Sequence, residues 1–151
     1  MTPEEQQRFV EFGRAVLQAQ PFSALLGTEL DALRPGHCQL GLVLHDRHRQ
    51  QNGFAHGGVV SYLADNALTF AGGTAMRVPV VTAEFKINYL RPATGERLVA
   101  RADVAHVSRS QAVCRCDVFA VTDGQEKLCA VAQGTIVKLG AAPPSASDAA
   151  A

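Results

Sequence analysis

One segment constrains this chain more than any other. From Gly57 to Met76 it reads GGVVSYLADNALTFAGGTAM, and its single formal charge is Asp65. Small and apolar side chains fall on every face of the helical wheel, which predicts one long helix buried all round. Such a helix needs a curved sheet wrapped around one side and a partner over the rest. A carboxylate placed there costs several kcal/mol unless it is paired or hydrogen-bonded. Acid–base or nucleophilic chemistry is one reason to carry it. A structural role, capping backbone or bonding Asn66 or a hydroxyl, is the other.

The flanking segments supply the sheet. Thr2, Pro3, Glu4 and Glu5 predict a helix start, and Phe9, Phe12, Gly13, Val16 and Leu17 form one stripe ending before Pro21. This helix, assigned to 1–21, is expected to dock through its two phenylalanines. Two short strands follow at Thr28–Leu33 and Cys38–Leu44, split by Pro35-Gly36. After Pro79 the period changes from helical to alternating. Val81, Ala83, Phe85, Ile87 and Tyr89 share one strand face. Further strands at Arg97–Val107, Gln111–Val121 and Lys127–Leu139 are expected to complete a four-stranded meander, with turns at Ser108-Arg109-Ser110 and Asp123-Gly124. The whole reads as one α+β domain over 1–139. Residues 140–151 (GAAPPSASDAAA) are expected to be a disordered tail.

Composition excludes several function classes. Lysine plus arginine balance aspartate plus glutamate at 14 each, with no basic block, so nucleic acid is not an expected partner. The amino terminus, MTPEEQQ, has no signal-peptide character. Asp65, Asn66 and four glycines argue against a membrane span for the long helix. A cytoplasmic location is therefore expected. Cys38, Cys114, Cys116 and Cys129 form no CxxC pair and are read as reduced thiols packed as small hydrophobes. His37, His45, His48 and His106 show no metal-ligand spacing and are assigned to surface or strand positions.

The order of elements, together with the run Gln50-Gln51-Asn52-Gly53-Phe54-Ala55-His56-Gly57-Gly58, resembles the hotdog-fold acyl-CoA thioesterases, the PaaI-like branch in particular. Asp65 stands nine residues after His56, and the strand V-T-x-E-x-x-I-x-Y follows at Val81–Tyr89. The resemblance covers about Thr28 to Leu139. It implies a curved antiparallel sheet around a central helix, with an extra N-terminal helix. It also implies hydrolysis of acyl-CoA to a free acid and coenzyme A, with no cofactor beyond the coenzyme A of the substrate. A homodimer or homotetramer is implied. The alternative within the same fold is a non-catalytic acyl-CoA-binding or sensing protein.

Geometry adds its own constraint. Gly57 and Asp65 are about 12 Å apart along a helix axis. A carbonyl-polarising amide and a general base must both lie within about 3 Å of one reacting centre. If the two act together, each must serve a site with the other copy's counterpart.

Helix amino termini expose amides, and Gly57 and Gly58 allow close approach of an acyl group, or merely a tight loop-to-helix junction. The resemblance implies that the Gly57 amide polarises the carbonyl and that Asp65 is base or nucleophile. Similar enzymes carry an Asn six residues before the His. Here that position is Gln50, with Gln51 or Asn52 as substitutes if the loop is shifted. Thr82 matches a hydroxyl that orients water in similar enzymes. His56 is expected to position neighbours by hydrogen bonding rather than to act as base, because the helix terminus disfavours its protonated form. Arg109, Arg91 and Arg77 are candidates for the coenzyme A phosphates. The 45–50 run HDRHRQ is read as solvated. Phe54, Tyr62, Leu63 and Phe70 are candidates to shape an acyl pocket.

Overall fold

Thr2 opens the first helix, α1 (Pro3–Gln18), with a reciprocal cap. Its hydroxyl accepts from the Glu5 amide and the Glu5 carboxylate accepts from the Thr2 amide. The computed structural model describes residues 1–140, so the expected tail at 140–151 lies outside the described residues except for Gly140. The N-terminal helix is two helices rather than one. Pro21 has no amide to continue α1, and it starts a second short helix, α2 (Pro21–Leu26), which ends at Gly27 with φ 80°.

Docking of α1 also departs from expectation. Phe12 is 69% exposed, whereas Gly13 and Leu17 are buried. A Cβ at Gly13 would stand 2.4 Å from Leu33 Cδ2 and 2.9 Å from Leu30 Cδ2. The helix therefore approaches the sheet through its missing side chain, and this close contact turns Phe12 away from the core.

Six antiparallel strands form one sheet: β1 (Thr28–Arg34), β2 (His37–Val43), β3 (Val80–Tyr89), β4 (Arg97–Val107), β5 (Gln111–Thr122) and β6 (Gln125–Lys138). Their order is β1-β2-β4-β5-β6-β3. The expected four-strand meander is thus only β4-β5-β6. β3 pairs with β6, from Val80 opposite Lys138 to Tyr89 opposite Ala130, and its other edge is unpaired among the described residues. Asp123 and Gly124, at φ 50° and 74°, make the two-residue turn between β5 and β6. Register shifts with an extra residue in β1, β3, β4 and β6 are the local irregularities that let a sheet curve.

The long helix, α3 (Gly57–Met76), lies across this sheet. Leu63, Ala64, Ala67, Leu68 and Ala71 are fully buried toward it. The helix is not buried all round, however. Ser61, Tyr62, Asp65, Asn66, Thr69 and Gly73 remain half-exposed along the opposite face. Alanine, glycine and hydroxyl residues suit either environment, which is why the helical wheel showed no polar side. Asp65 thus sits at an open face of the single chain.

All four cysteines are free and buried, and Cys114 and Cys116 point inward with Val118 and Ala120. Burial pushes the Cys114 and Cys129 thiols up to about 11 and raises those of Cys38 and Cys116 as well. No helix among the described residues is long and apolar enough to cross a membrane.

The long helix approaches the sheet closely at Gly72, where a Cβ would lie 2.8 Å from Ile136 Cβ. Ile136 is β-branched and buried, so it has little room to move. Gly72→Val is expected to destabilise the fold by about 1–3 kcal/mol. Chemical denaturation of the variant beside wild type measures this, and an unchanged midpoint would contradict the packing described.

Candidate active site

The loop into α3 is a folded element, and a buried histidine holds it. Asp46–His48 forms a single 3-10 turn. The His48 side chain is 2% exposed, not at the surface, and it corrects the reading of 45–50 as solvated. His48 Nδ1 accepts from the His45 amide at 2.9 Å, so Nε2 carries the proton and donates to the Leu26 carbonyl at 2.8 Å. This ties the loop to the end of α2. Arg49 is likewise engaged, donating to the carbonyls of Gly53 and Gly95 at 2.9 and 3.1 Å. His37 lies beside Asp103 on neighbouring strands, and His45 and His106 are exposed.

From this base the chain turns into α3. His56 caps the helix, its Nδ1 accepting from the Gly58 amide at 2.8 Å. The His56 carbonyl accepts from Val59 and Val60 at 3.0 and 3.3 Å. Three of the first four amides are therefore occupied. The Gly57 N–H has no acceptor among the described residues. Tyr89 holds the same residue from the other side, its hydroxyl donating to the Gly57 carbonyl at 3.0 Å.

Gly57 opens onto a cleft of about 410 Å³ whose walls include Gln50, Phe54, Tyr89 and Arg91. The Gln50 carboxamide oxygen accepts from the Asn52 amide, which leaves its NH₂ as the end able to donate into the cleft. Asn52 is exposed and lies outside the cleft walls. Of the amides considered from sequence, Gln50 is the one beside Gly57. Gly58 is not available to a ligand, since its amide is taken by His56.

Asp65 stands elsewhere on α3. Thr82 Oγ1 donates to Asp65 Oδ1 at 2.7 Å. Thr69 Oγ1 lies 2.9 Å from both Thr82 Oγ1 and the Asp65 carbonyl. Asp65 Oδ2 has no hydrogen-bond partner among the described residues. One oxygen is fixed and the other is open at the half-exposed face. Thr69 and Tyr89 were not singled out from sequence. Thr69 lies four residues after Asp65, on the same helical face, and Tyr89 ends the strand that carries Thr82.

Within one chain these groups do not converge. Asp65 is eight residues, about 12 Å, along the helix from Gly57 and does not line the Gly57 cleft. Arg109 is exposed in the β4–β5 turn, next to Lys138 and hence at the far end of α3 from Gly57. Arg77 is exposed at the α3 C-cap, in the αL conformation. Leu63 is fully buried in the core and is not a pocket residue. Tyr62 is committed to a polar cluster, donating to Ser23 at 2.6 Å beside Thr28 and Asn66.

The family model described as the thioesterase superfamily matches residues 52–127, the stretch holding the α3 start, Asp65 and Thr82. The chain belongs to the thioesterase superfamily. Among solved structures, a thioesterase family protein from Silicibacter pomeroyi superposes with a TM-score of 0.80 at 36% identity, covering 84% of this chain and 96% of that one. A mutant of the phenylacetic acid degradation protein PaaI from Thermus thermophilus gives 0.70 at 35% identity, covering 80% and 100%. A provisionally named esterase of Saccharolobus solfataricus is 32% identical over 123 residues, 81% of this chain and 80% of its own length. This thioesterase-superfamily chain is therefore a hotdog protein of the PaaI-like branch and a hydrolase of the thioester-cleaving class.

The tether under the site titrates. Burial lowers the His48 pKa below the ordinary imidazole value. The unfolded chain, with a pKa of about 6.5, binds a proton that the folded chain resists. This contribution to stability is full above that pH and is lost as pH falls through it toward the folded value. The stability difference between wild type and His48→Gln is expected to be largest near pH 7.5 and to narrow toward pH 5. Urea midpoints across that range measure it, and a constant difference would contradict the neutral, doubly bonded ring.

Proposed function

We propose that this protein hydrolyses acyl-CoA thioesters in sites shared between two copies of the chain. In each site Gly57 of one subunit polarises the thioester carbonyl and Asp65 of the partner subunit acts on it. The observation that carries this reading is the Asp65 carboxylate, anchored through one oxygen by Thr82 and open through the other on a face the sheet leaves uncovered. The Gly57 N–H, left without an acceptor at a helix amino terminus, is its natural complement for a developing oxyanion. A two-fold axis that sets two α3 helices antiparallel would bring one group of each kind to both sites. The unpaired edge of β3 offers the backbone groups to join two sheets. A dimer is the least that such a site requires, and a tetramer would be built from it.

The chemistry then follows one of two routes. As a base, Asp65 takes a proton from water while the water oxygen adds to the carbonyl carbon. As a nucleophile, it adds directly and water later cleaves the mixed anhydride. In both, the carbonyl oxygen gains charge beside the Gly57 N–H, and collapse expels the coenzyme A thiolate, which then takes up a proton. Thr82 holds the carboxylate in one orientation, and the Gln50 NH₂ donates at the cleft where the carbonyl lies. Phe54 and Arg91 flank that cleft, Arg91 suited to a phosphate of coenzyme A. Arg109 would reach the site only from the other subunit.

Release of free thiol across a panel of acyl-CoAs tests this. Asp65→Asn is expected to lower kcat about a hundredfold or more. Thr82→Val, which keeps the carboxylate but frees it to rotate, is expected to lose about ten- to a hundredfold. A panel that shows acyl-CoA binding but no Asp65-dependent thiol release would favour the sensing protein instead.

A further inference from the structure

A larger hollow includes Thr69, the neighbour of the Thr82 hydroxyl that anchors Asp65. Between α1 and the outer face of α3 lies a groove of about 630 Å³. Phe12 and Val16 of α1, Phe70 and Gly73 of α3, Val78 before β3 and Val80 at its start form its walls. Phe12 and Val16 are 69% and 37% exposed, so α1 turns large apolar side chains toward this space rather than into the core.

Thr69 belongs to the groove and to the hydroxyl chain alike. It lines the groove, and its hydroxyl lies 2.9 Å from Thr82 Oγ1, the donor to Asp65. Any carbon held for reaction at Asp65 therefore has this groove beside it. Asn66 and Arg77, both in its wall, are eleven residues apart, about 16 Å of helix. The cleft beside Gly57 is smaller and carries Gln50 and Arg91. Two hollows of unlike chemistry thus adjoin the two reacting groups. The first, of mixed character with Gln50 and Arg91 in its wall, suits the coenzyme arm, and the second, lined almost wholly by apolar groups, suits a hydrocarbon.

We propose that the α1–α3 groove is the acyl channel, and that it selects unbranched aliphatic acyl groups of medium length over acetyl-sized or short aromatic ones. The proposal rests on the acyl-CoA hydrolase reading above. Its volume falls inside the range of about 300–1,000 Å³ typical of ligand clefts. Its length exceeds what a single aromatic ring fills. Val16 stands where a larger side chain would close the channel without entering the core.

Two variants and one substrate series test it. The chain contains no tryptophan, so Phe12→Trp introduces a single fluorophore at the groove. With wild type, kcat/KM is expected to rise from acetyl- through butanoyl- to decanoyl-CoA. Val16→Trp is expected to lower decanoyl-CoA turnover about tenfold or more and to leave butanoyl-CoA within about twofold. Emission of Phe12→Trp is expected to shift to the blue, saturably, with decanoate but not with acetate or coenzyme A alone.

A flat chain-length profile, or equal losses at all lengths in Val16→Trp, would overturn the channel and leave the hydrolase reading intact. Emission already blue-shifted and unresponsive to decanoate would show a second copy of the chain filling the groove, which also overturns it. Failure to hydrolyse any acyl-CoA while decanoate still shifts the emission would remove the hydrolase reading and leave an apolar acyl-binding site.

Discussion

A single hydroxyl-to-carboxylate bond organises this molecule's functional geometry. Thr82 reaches across from β3 to Asp65 on α3, and Thr69 of the helix meets the same hydroxyl at 2.9 Å. With β3 paired to β6, the strand leaving α3 runs back along the helix and places Thr82 against Asp65. The same choice puts β3 at the sheet edge. The interaction that aims the carboxylate and the edge able to receive another copy are thus consequences of one pairing.

The burial of α3 follows a division of labour between its faces. Leucine and alanine pack the sheet side, and Gly72 lets the helix come close to Ile136. The outer side carries small and hydroxyl residues that tolerate both water and close packing, as the proposed assembly requires. A carboxylate on that side avoids the full desolvation cost of a sealed core, yet it loses water once covered. His48 plays the corresponding part under the start of α3, since the loop that presents Gln50 and opens the helix is tied through it to α2.

Local signals in the sequence were sufficient where a short stretch decides the outcome. α3 runs from Gly57 to Met76 as its composition predicts, because His56 caps one end and Arg77 and Pro79 stop the other. β4 likewise occupies Arg97–Val107, and Asp123-Gly124 turns the chain as a two-residue loop should. Long-range choices were not legible. Nothing local to β3 says whether it prefers β4 or β6. Phe12 was favoured over Gly13 for docking because hydrophobicity rewards size, whereas this contact depends on an absent side chain. His48 looked solvated among charged neighbours, and only the tertiary position of the Leu26 carbonyl buries it. At the site, Thr82 and Gln50 could be picked out by their spacing from His56 and α3. Thr69 could not, as a threonine on a helix carries no mark of its partner on a strand.

The proposed shared site makes a claim that mixing two inactive chains can decide. Asp65→Asn removes the carboxylate. Gly57→Pro removes only an N–H, because proline suits the first position of a helix and His56, at φ −61° and ψ 136°, already has the conformation that precedes proline. The added ring also has room, since a Cβ there meets the Tyr89 ring at 3.6 Å. Each variant alone is expected to be nearly inactive. Unfolding and refolding equal amounts together should restore about a quarter of wild-type thiol release, from the one intact site in each mixed dimer. No recovery in a mixture shown to contain mixed dimers would contradict a site assembled from two chains.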